Sequence, residues 1–270
     1  MSSKLFDELR KEVMETQVLV FAGGLARRMG FIDKPKALLE VAGKPLIDWC
    51  IEYYADCGFK DFVLLLGKGH EQIEKYVGEG ERYGVDIKYS VDPRIKEVGK
   101  GKALKHAILK GIVDKKRRAL VCFPDDFFLD RSLPLRFLLH HIEGVKSKGI
   151  IVSAVFVWGM EYPYGVGEID GNNLVRRFVE KPVVNYYTST GLYMFEPQVF
   201  DIVLEKIDMK ASRRIEFEEE ILPLLAQQNK LYALVIPRGT WIPINTLKDL
   251  DRANSILANF LSALRDRGST

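Results

Sequence analysis

Val18-Leu19-Val20-Phe21-Ala22-Gly23-Gly24-Leu25-Ala26-Arg27-Arg28 decides the fold class, and Lys34-Pro35-Lys36 follows a few residues later. The apolar run from Val18 to Phe21 predicts a buried strand. The adjacent Gly23 and Gly24 allow a sharp turn that brings backbone N–H groups close to a ligand. Because several basic side chains come directly after this turn, the stretch predicts a binding site for a polyphosphate.

Composition narrows the class of protein. The chain has 270 residues, of which 47% are hydrophobic and 29% charged, which is ordinary for a soluble globular protein. The net charge of +3 is small, so it gives no argument for nucleic acid or a membrane surface as a partner. The sequence contains neither an apolar stretch of transmembrane length nor a signal-peptide core at its start. We therefore expect a cytoplasmic protein whose Cys50, Cys57 and Cys122 are free thiols.

Hydrophobic periodicity predicts one α/β domain that is preceded in the sequence by a helical extension. Leu5, Leu9 and Val13 recur at four-residue spacing, which predicts an amphipathic helix within residues 1–16. From residue 17 to about 130, strands and helices alternate in a βαβ rhythm, which is typical of a parallel sheet. Residues 150–245 add further strands, including a hairpin over 165–179, and a closing helix is expected over 246–266. The predicted domain thus spans residues 17–270.

The order of the motifs resembles a known enzyme family. Ala22-Gly23-Gly24, Arg28-Met29, Pro35-Lys36 and Gly43-Lys44-Pro45 are similar to the opening motif of the sugar-1-phosphate nucleotidyltransferases. The short spacer before Pro35 looks most like the uridylyltransferase domain of the bifunctional N-acetylglucosamine-1-phosphate enzymes. The resemblance implies the nucleotide-diphospho-sugar transferase fold, a Rossmann-like, mostly parallel α/β sheet with helices on both faces. It also implies a nucleotide-binding part over 17–130 and a sugar-binding part over 150–245.

The resemblance assigns the phosphate and metal groups. Ala22, Gly23 and Gly24 would cradle the triphosphate, while Arg28 and Lys36 would act as the catalytic cations. Relatives bind Mg²⁺ at the end of a strand and near the carboxyl terminus, and the matching residues here are Asp125 and Asn245. Asp126 is the fallback for the first ligand, because Pro124 stands where the family has glycine. A helix cap just before Thr246 is the alternative interpretation of the Asn245 region.

Two further segments match the substrate-binding parts of the family. Asp92, Gly99 and Lys100 look like the base-reading residues, although Lys100 and Lys102 replace the family's threonine and glycine. The alternative for that stretch is a helix start with solvated lysines. In the sugar-binding part, the resemblance implies contacts from Gly165, Glu180, Lys181 and Gly191 to the sugar phosphate. The Arg213-Arg214 pair could touch an anion, but a solvated helix start is the favoured interpretation. The basic turn from Lys115 to Arg118 is interpreted as a solvated face and not as a nucleic-acid site.

The predicted activity is Mg²⁺-dependent transfer of a nucleotidyl group from an NTP to a sugar 1-phosphate. UTP or dTTP with glucose 1-phosphate is the favoured pair, and GTP with mannose 1-phosphate or CTP with a polyol phosphate stays open. A non-catalytic regulatory homologue that binds nucleotide sugar, and an enzyme with a non-sugar acceptor, are the remaining alternatives. We expect no nucleic-acid or membrane partner, and homo-oligomerisation stays open.

Overall fold

The computed structural model describes the backbone of residues 2–26, 29–30, 34–93 and 95–267, and the side chains of residues 6–26, 29–30, 34–93 and 95–258. The helices are α1 (Ser2–Met14), α2 (Leu46–Ala55), α3 (His70–Val77), α4 (Gly99–Leu109), α5 (Leu133–Lys148), α6 (Pro197–Lys206), α7 (Phe217–Glu220), α8 (Leu222–Gln227) and α9 (Leu247–Arg267). The strands are β1 (Gln17–Phe21), β2 (Glu40–Val41), β3 (Lys44–Pro45), β4 (Asp61–Leu66), β5 (Asp86–Val91), β6 (Ala119–Cys122), β7 (Asp126–Phe128), β8 (Val152–Glu161), β9 (Val166–Ile169), β10 (Val175–Val179), β11 (Val183–Phe195), β12 (Leu231–Ile236) and β13 (Trp241–Pro243).

A seven-stranded sheet in the order β12-β8-β11-β6-β1-β4-β5 forms the centre of the molecule. Strand β1 pairs in parallel with β4 and β6, and β4 pairs in parallel with β5. Only β11 runs against its neighbours in this sheet, since it is antiparallel to both β6 and β8. The mostly parallel sheet expected from the sequence is confirmed. Its parallel half brings the carboxyl ends of four strands to one edge.

Alternate residues of each central strand pack into opposite halves of the core. In β1, Val18 and Val20 face the cluster that contains residues of α2 and α5. Leu19 and Phe21 face the other cluster, which contains residues of α4 and α6. Because apolar helix faces cover both sides, β1 is buried along its whole length. The predicted layers of helices on both faces are therefore present.

The differences from the sequence-based elements lie mainly at boundaries. Helix α4 begins at Gly99, so the residues expected to read the base, Gly99 and Lys100, lie in its first turn. Helices α7 and α8 meet at Ile221. Helices α5 and α6 were not predicted at all. Each has a proline in its first turn, which is a helix-start signal.

The basic turn before β6 is not wholly solvated, because Arg118 is largely buried. Its side chain is 14% exposed and pairs with Glu196 at 2.5 Å and with Glu12 of α1 at 2.6 Å. Glu196 also lies 3.0 Å from Nε2 of the buried His141, and burial lowers the pKa of this histidine. The interpretation of Arg118 as a surface residue was therefore wrong. Its guanidinium connects the amino-terminal helix to the end of β11.

Among the described residues, none of the helices is both long enough and apolar enough to cross a membrane.

Replacing Arg118 should destabilise the fold without touching the site described below. Arg118→Met leaves Glu196 half-buried without its guanidinium, which should cost about 3 kcal/mol and lower Tm by roughly 6–12 °C. Thermal unfolding followed by circular dichroism measures the change. Arg131→Met is the matched control, because Arg131 pairs with Asp56 in the open and should contribute less than about 1 kcal/mol. Equal losses in both variants would contradict a special role for Arg118.

Candidate nucleotide and sugar-phosphate site

A cavity of about 550 Å³ opens at the carboxyl edge of the parallel strands. This is a common volume for a small-molecule site and lies at the position where open α/β sheets bind ligands. Most of the residues expected to bind nucleotide or metal line it, namely Ala22, Gly23, Gly24, Lys36, Asp92, Gly99, Lys100, Asp125 and Asn245. Residues far apart in the sequence therefore meet in one cavity. Arg28 lies outside the described residues.

The floor of the cavity is bare backbone, and close packing requires glycine there. A Cβ on Gly23 would lie 2.9 Å from the backbone nitrogen of Gly67, and a Cβ on Gly67 would lie 2.7 Å from the carbonyl oxygen of Gly23. Gly67 follows β4, so the ends of two adjacent strands touch at this point. The sequence analysis missed Gly67. A glycine directly after an apolar strand was the available signal.

Lys36 lies at the centre of the charged side of the cavity. Its ammonium forms an ion pair with Asp125 and lies 3.2 Å from Oδ1 of Asn245. The backbone N–H of Lys36 donates to the carbonyl oxygen of Gly24 at 2.9 Å, so the glycine turn fixes the lysine beside it. Since the Lys36 side chain is only 17% exposed, its charge is directed into the cavity.

Asn245 is held opposite Asp125 by the strand and helix on either side of it. The N–H of Ile244 donates to the Asp125 carbonyl at 2.8 Å, next to the short β7–β13 pairing. On the other side, Asp249 accepts bonds from the backbone N–H groups of Asn245 and Thr246 at 3.0 and 2.8 Å. Thr246 and Asp249 thus cap α9, while the Asn245 side chain stays free to contact Lys36. Asn245 therefore contacts Lys36 in the cavity while the next residues cap α9.

The Asp126 carboxylate is bonded to Trp241, whereas Lys36 pairs with Asp125. The Asp126 Oδ1 accepts a bond from the Trp241 indole at 2.9 Å. Its Oδ2 lies on the side of Gly191, where an added Cβ would approach it to 3.0 Å. Burial, together with the neighbouring charge of Asp125, raises the pKa of Asp126 well above its ordinary value. Of the two carboxylates, Asp125 is the one that lines the cavity.

Asp92 also lines the cavity, and its Oδ2 lies beside Gly67, 3.1 Å from the position of an added Cβ there. Asp92 follows β5, and burial raises the pKa of its carboxyl to about 6, although the charge of Arg214 acts in the other direction. Gly99, another lining residue, has φ of +72°, and a Cβ there would lie 2.5 Å from the carbonyl oxygen of Ile215. Gly99 therefore lets α4 begin in direct contact with the segment that carries Arg214.

The ammonium of Lys100 is engaged by carboxylates. It lies 2.9 Å from Glu218 and 3.5 Å from Glu216, and its backbone N–H donates to Glu216 at 2.8 Å. Although burial lowers the pKa of Lys100, these two carboxylates raise it above its ordinary value. The ammonium also lies 5.4 Å from the centroid of the Phe123 ring. Lys100 is therefore held by ion pairs in the lining of the cavity, and it is not a solvated lysine at a helix start.

Two charged residues outside the predicted site, Arg214 and Glu216, also line the cavity. A solvated helix start was the favoured interpretation of Arg214, and its side chain is indeed 66% exposed, but it also borders the cavity. The available signal was the pair of arginines just before Glu216 and the glutamates at 218–220. The position of Arg214 and Glu216 beside Asp92 and Lys100 depends on tertiary packing that the sequence does not display.

The residues expected to bind sugar phosphate are not among those that line this cavity. Glu180 and Lys181 follow β10 of an exposed two-stranded hairpin. A Cβ on Gly165 would lie 3.0 Å from Oε2 of Glu180, so these two residues are neighbours. Gly191 lies closer to the cavity, since a Cβ there would approach the lining ring of Phe123 to 3.0 Å. Gly165, Glu180 and Lys181 thus lie together at the exposed hairpin, and Gly191 lies apart from them beside Phe123.

The donor set at Lys36 fits a hard divalent cation that also binds phosphate. Asp125 supplies a carboxylate and Asn245 an amide oxygen, and both oxygens already contact a cationic group. Oxygen ligands of this kind suit Mg²⁺, which commonly takes one or two protein ligands together with phosphate oxygens and water. Among the described residues, no group of three or more His, Cys, Asp or Glu side chains forms an all-protein metal site.

Comparison with known proteins agrees with this arrangement. The family described as "Nucleotidyl transferase" matches residues 17–259. The mannose-1-phosphate guanylyltransferase catalytic subunit beta of Drosophila pseudoobscura pseudoobscura is 29% identical over 261 residues, which cover 94% of this chain and 65% of that protein. The mannose-1-phosphate guanyltransferase of Pichia angusta is 30% identical over 256 residues, covering 93% and 66%.

A solved structure supports the fold independently. A Bacillus anthracis protein assigned as a glucose-1-phosphate thymidylyltransferase matches with a TM-score of 0.68 at 23% identity, covering 89% of this chain and 94% of its own. The sequence-based resemblance to sugar-1-phosphate nucleotidyltransferases is confirmed. The chain spans about two thirds of the length of the guanylyltransferases that it matches.

Removing the Lys36 ammonium should abolish most nucleotidyl transfer while leaving the fold intact. We expect Lys36→Ala to lower kcat about 10²- to 10³-fold, because charge that develops on the phosphates then lacks its fixed cation. Steady-state pyrophosphate release measures this. Lys34→Ala, which removes an exposed cation from the same loop, is the control and should stay within about twofold of the parent. A Lys36→Ala enzyme with parental kcat would contradict the assignment.

Proposed function

This chain belongs to the nucleotidyl transferase family, and on that basis we propose that it transfers a guanylyl group from GTP to mannose 1-phosphate. An oxygen of the sugar phosphate bonds to the α-phosphorus of GTP, and the bond from this phosphorus to the bridging oxygen of the departing pyrophosphate breaks. The observation that carries the choice of base is the Asp92 carboxylate in the lining of the cavity.

Hydrogen-bond chemistry connects a carboxylate with guanine. Guanine presents two adjacent donors on one edge, N1–H and the exocyclic amine, and an ionised carboxylate accepts both. Uracil and thymine present a single N3–H between two carbonyl oxygens, which repel a carboxylate. Adenine and cytosine each place a ring acceptor beside their amine. Asp92 therefore favours guanine, and two similar proteins are guanylyltransferases by name. This proposal replaces the expected preference for UTP or dTTP with glucose 1-phosphate.

The glycine turn and Lys36 suit the phosphates. The turn at Gly23 and Gly24 offers backbone N–H groups, and the Lys36 ammonium neutralises charge that shifts toward the leaving pyrophosphate. The acceptor phosphate is already anionic, so the reaction needs no covalent nucleophile from the protein. Positioning two anions in line is then the main task of these residues.

Asp125 and Asn245 would hold Mg²⁺, and this ion would neutralise phosphate charge when bound. Without it, Lys36 supplies the compensating charge for Asp125. Glu180 can accept hydrogen bonds from vicinal sugar hydroxyls, and Lys181 can pair with the acceptor phosphate. Their place on the exposed hairpin suits a substrate that enters from solvent.

A substrate grid tests the proposed function. Pyrophosphate release is measured with Mg²⁺ for ATP, GTP, CTP, UTP and dTTP against mannose 1-phosphate, glucose 1-phosphate and N-acetylglucosamine 1-phosphate. We expect GTP with mannose 1-phosphate to exceed every other pair at least about tenfold in kcat/KM. A preference for UTP or dTTP would contradict the base assignment and keep the reaction class. No release from any pair, with nucleotide still bound, would overturn the catalytic proposal in favour of a regulatory homologue or a non-sugar acceptor.

The Asp92 carboxyl predicts a pH dependence of GTP recognition. Its pKa of about 6 in the folded protein lies above its ordinary value, so it becomes protonated as the pH falls through about 6 and then loses its acceptor charge. KM for GTP should therefore rise several-fold between about pH 7 and pH 5. Asp92→Asn should show a high KM that no longer changes over this range. If Asp92→Asn kept the parental dependence of KM on pH, a role for Asp92 in reading guanine would be contradicted.

A further inference from the structure

Lys102, in the first turns of α4, is a fully buried lysine. It is 1% exposed, and its Nζ donates to the carbonyl oxygens of Glu97, Ala211 and Arg213 at 2.7, 2.7 and 2.8 Å. An ammonium group has three donors, and each one has a backbone acceptor here. Burial of a charge is costly unless it is matched in this way. These three hydrogen bonds therefore belong to the packed interior of the fold and are not a surface contact.

The three carbonyls belong to two different segments. Glu97 precedes α4, whereas Ala211 and Arg213 lie in the connection between α6 and α7. Backbone bonds join the same two segments nearby: the Gly101 N–H donates to Ile215 at 2.8 Å, and the Ile215 N–H donates to Val98 at 3.3 Å. Lys102 thus reinforces the junction at which these two segments enclose one side of the cavity.

This junction determines where Arg214 lies. Lys102 binds the carbonyl of the residue directly before Arg214, and the carbonyl of Ile215 directly after it accepts the Gly101 N–H. The Arg214 side chain itself is 66% exposed and borders the cavity close enough to Asp92 for its charge to act on the Asp92 pKa. The guanidinium also lies 3.5 Å from the Glu216 carboxylate, so its position depends on this ion pair and on its backbone, which the buried ammonium fixes.

We propose that Lys102 is a positioning residue for nucleotide binding, which acts by holding the backbone at Arg214 so that the Arg214 guanidinium faces the nucleotide in the cavity. Lys102 does not contact the nucleotide. The proposal rests on the proposed function only in that the cavity takes an NTP, and it does not depend on which base or which sugar is used.

Lys105 offers a matched control on the same helix. It lies one turn after Lys102 and is half-buried, and its Nζ donates to the carbonyl oxygens of Leu204 and Ile207 at 2.6 and 2.8 Å. Both lysines therefore tie α4 to the chain that follows α6. The carbonyls that Lys105 binds lie at the end of α6, away from Arg214. A purely structural role would affect both lysines alike, whereas a positioning role affects only Lys102.

The test is a double-mutant cycle on nucleotide affinity. Calorimetry measures the Kd of Mg²⁺-NTP for the parent, Lys102→Met, Arg214→Ala and the double variant, with whichever of the five NTPs binds the parent most tightly. We expect about a tenfold weaker Kd in Lys102→Met and about a tenfold weaker Kd in Arg214→Ala. The double variant should be no more than about twofold weaker than Arg214→Ala alone, because Lys102 acts through Arg214.

The controls separate positioning from general stability. Lys105→Met should lower Tm and leave Kd within about twofold. Lys102→Gln, which keeps N–H donors, takes the place of Lys102→Met if the latter does not fold, and we expect a smaller loss of affinity in the same cycle. A parental Kd in folded Lys102→Met, additive losses in the double variant, or an equal loss in Lys105→Met would each overturn the proposal. If UTP binds more tightly than GTP, only the guanine assignment fails. If no NTP binds the parent, both proposals fail.

Discussion

The structure depends on the placement of one ammonium group. Lys36 lies between the Asp125 carboxylate and the Asn245 amide oxygen, at the edge where the parallel strands end. These three residues come from distant parts of the chain, so their convergence requires the whole sheet and its final helix. The ammonium compensates the charge of Asp125 before any phosphate arrives. Polyanionic substrates then enter a site in which their charge partners are already fixed.

The cavity is built by two different means. Near Lys36, backbone close approach between Gly23 and Gly67 leaves room for a ligand, and short strands hold Asp125 beside Asn245. Near Lys100, the start of α4 packs on the segment that carries Arg214 and Glu216. That packing leaves almost no space at Gly99. The edge of the sheet forms one side of the cavity, and the segment before α4 together with the α6–α7 connection forms another. Lys102 binds these two segments to each other.

The sequence predicted the features that are local or carried by a linear motif. The buried strand before Gly23 and the parallel sheet could be inferred, since strand periodicity is visible in short stretches. The family resemblance implied Asp125 and Asn245 as metal ligands, and the structure places both beside Lys36. The burial of Lys102 and Arg118 and the place of Arg214 in the cavity lining could not be inferred. A lysine or arginine in a polar stretch looks solvated, and only the folded chain supplies the acceptors that bury Lys102 and Arg118 or the cavity beside Arg214. Helices α5 and α6 were not predicted, although a proline in the first turn of each is a local helix-start signal.

Binding of Mn²⁺, as a spectroscopic substitute for Mg²⁺, tests the central claim most directly. Electron paramagnetic resonance measures free Mn²⁺ during titration of the protein, with and without a saturating non-hydrolysable NTP analogue of the best-bound nucleotide. If Lys36 already compensates Asp125, Mn²⁺ should bind weakly to the protein alone and at least about tenfold more tightly when nucleotide is present, after subtraction of the Mn²⁺ that the analogue binds without protein. The Asp125→Asn variant should lose that gain. Undiminished nucleotide-dependent binding in Asp125→Asn would contradict the account, because the phosphates and the metal would then meet elsewhere.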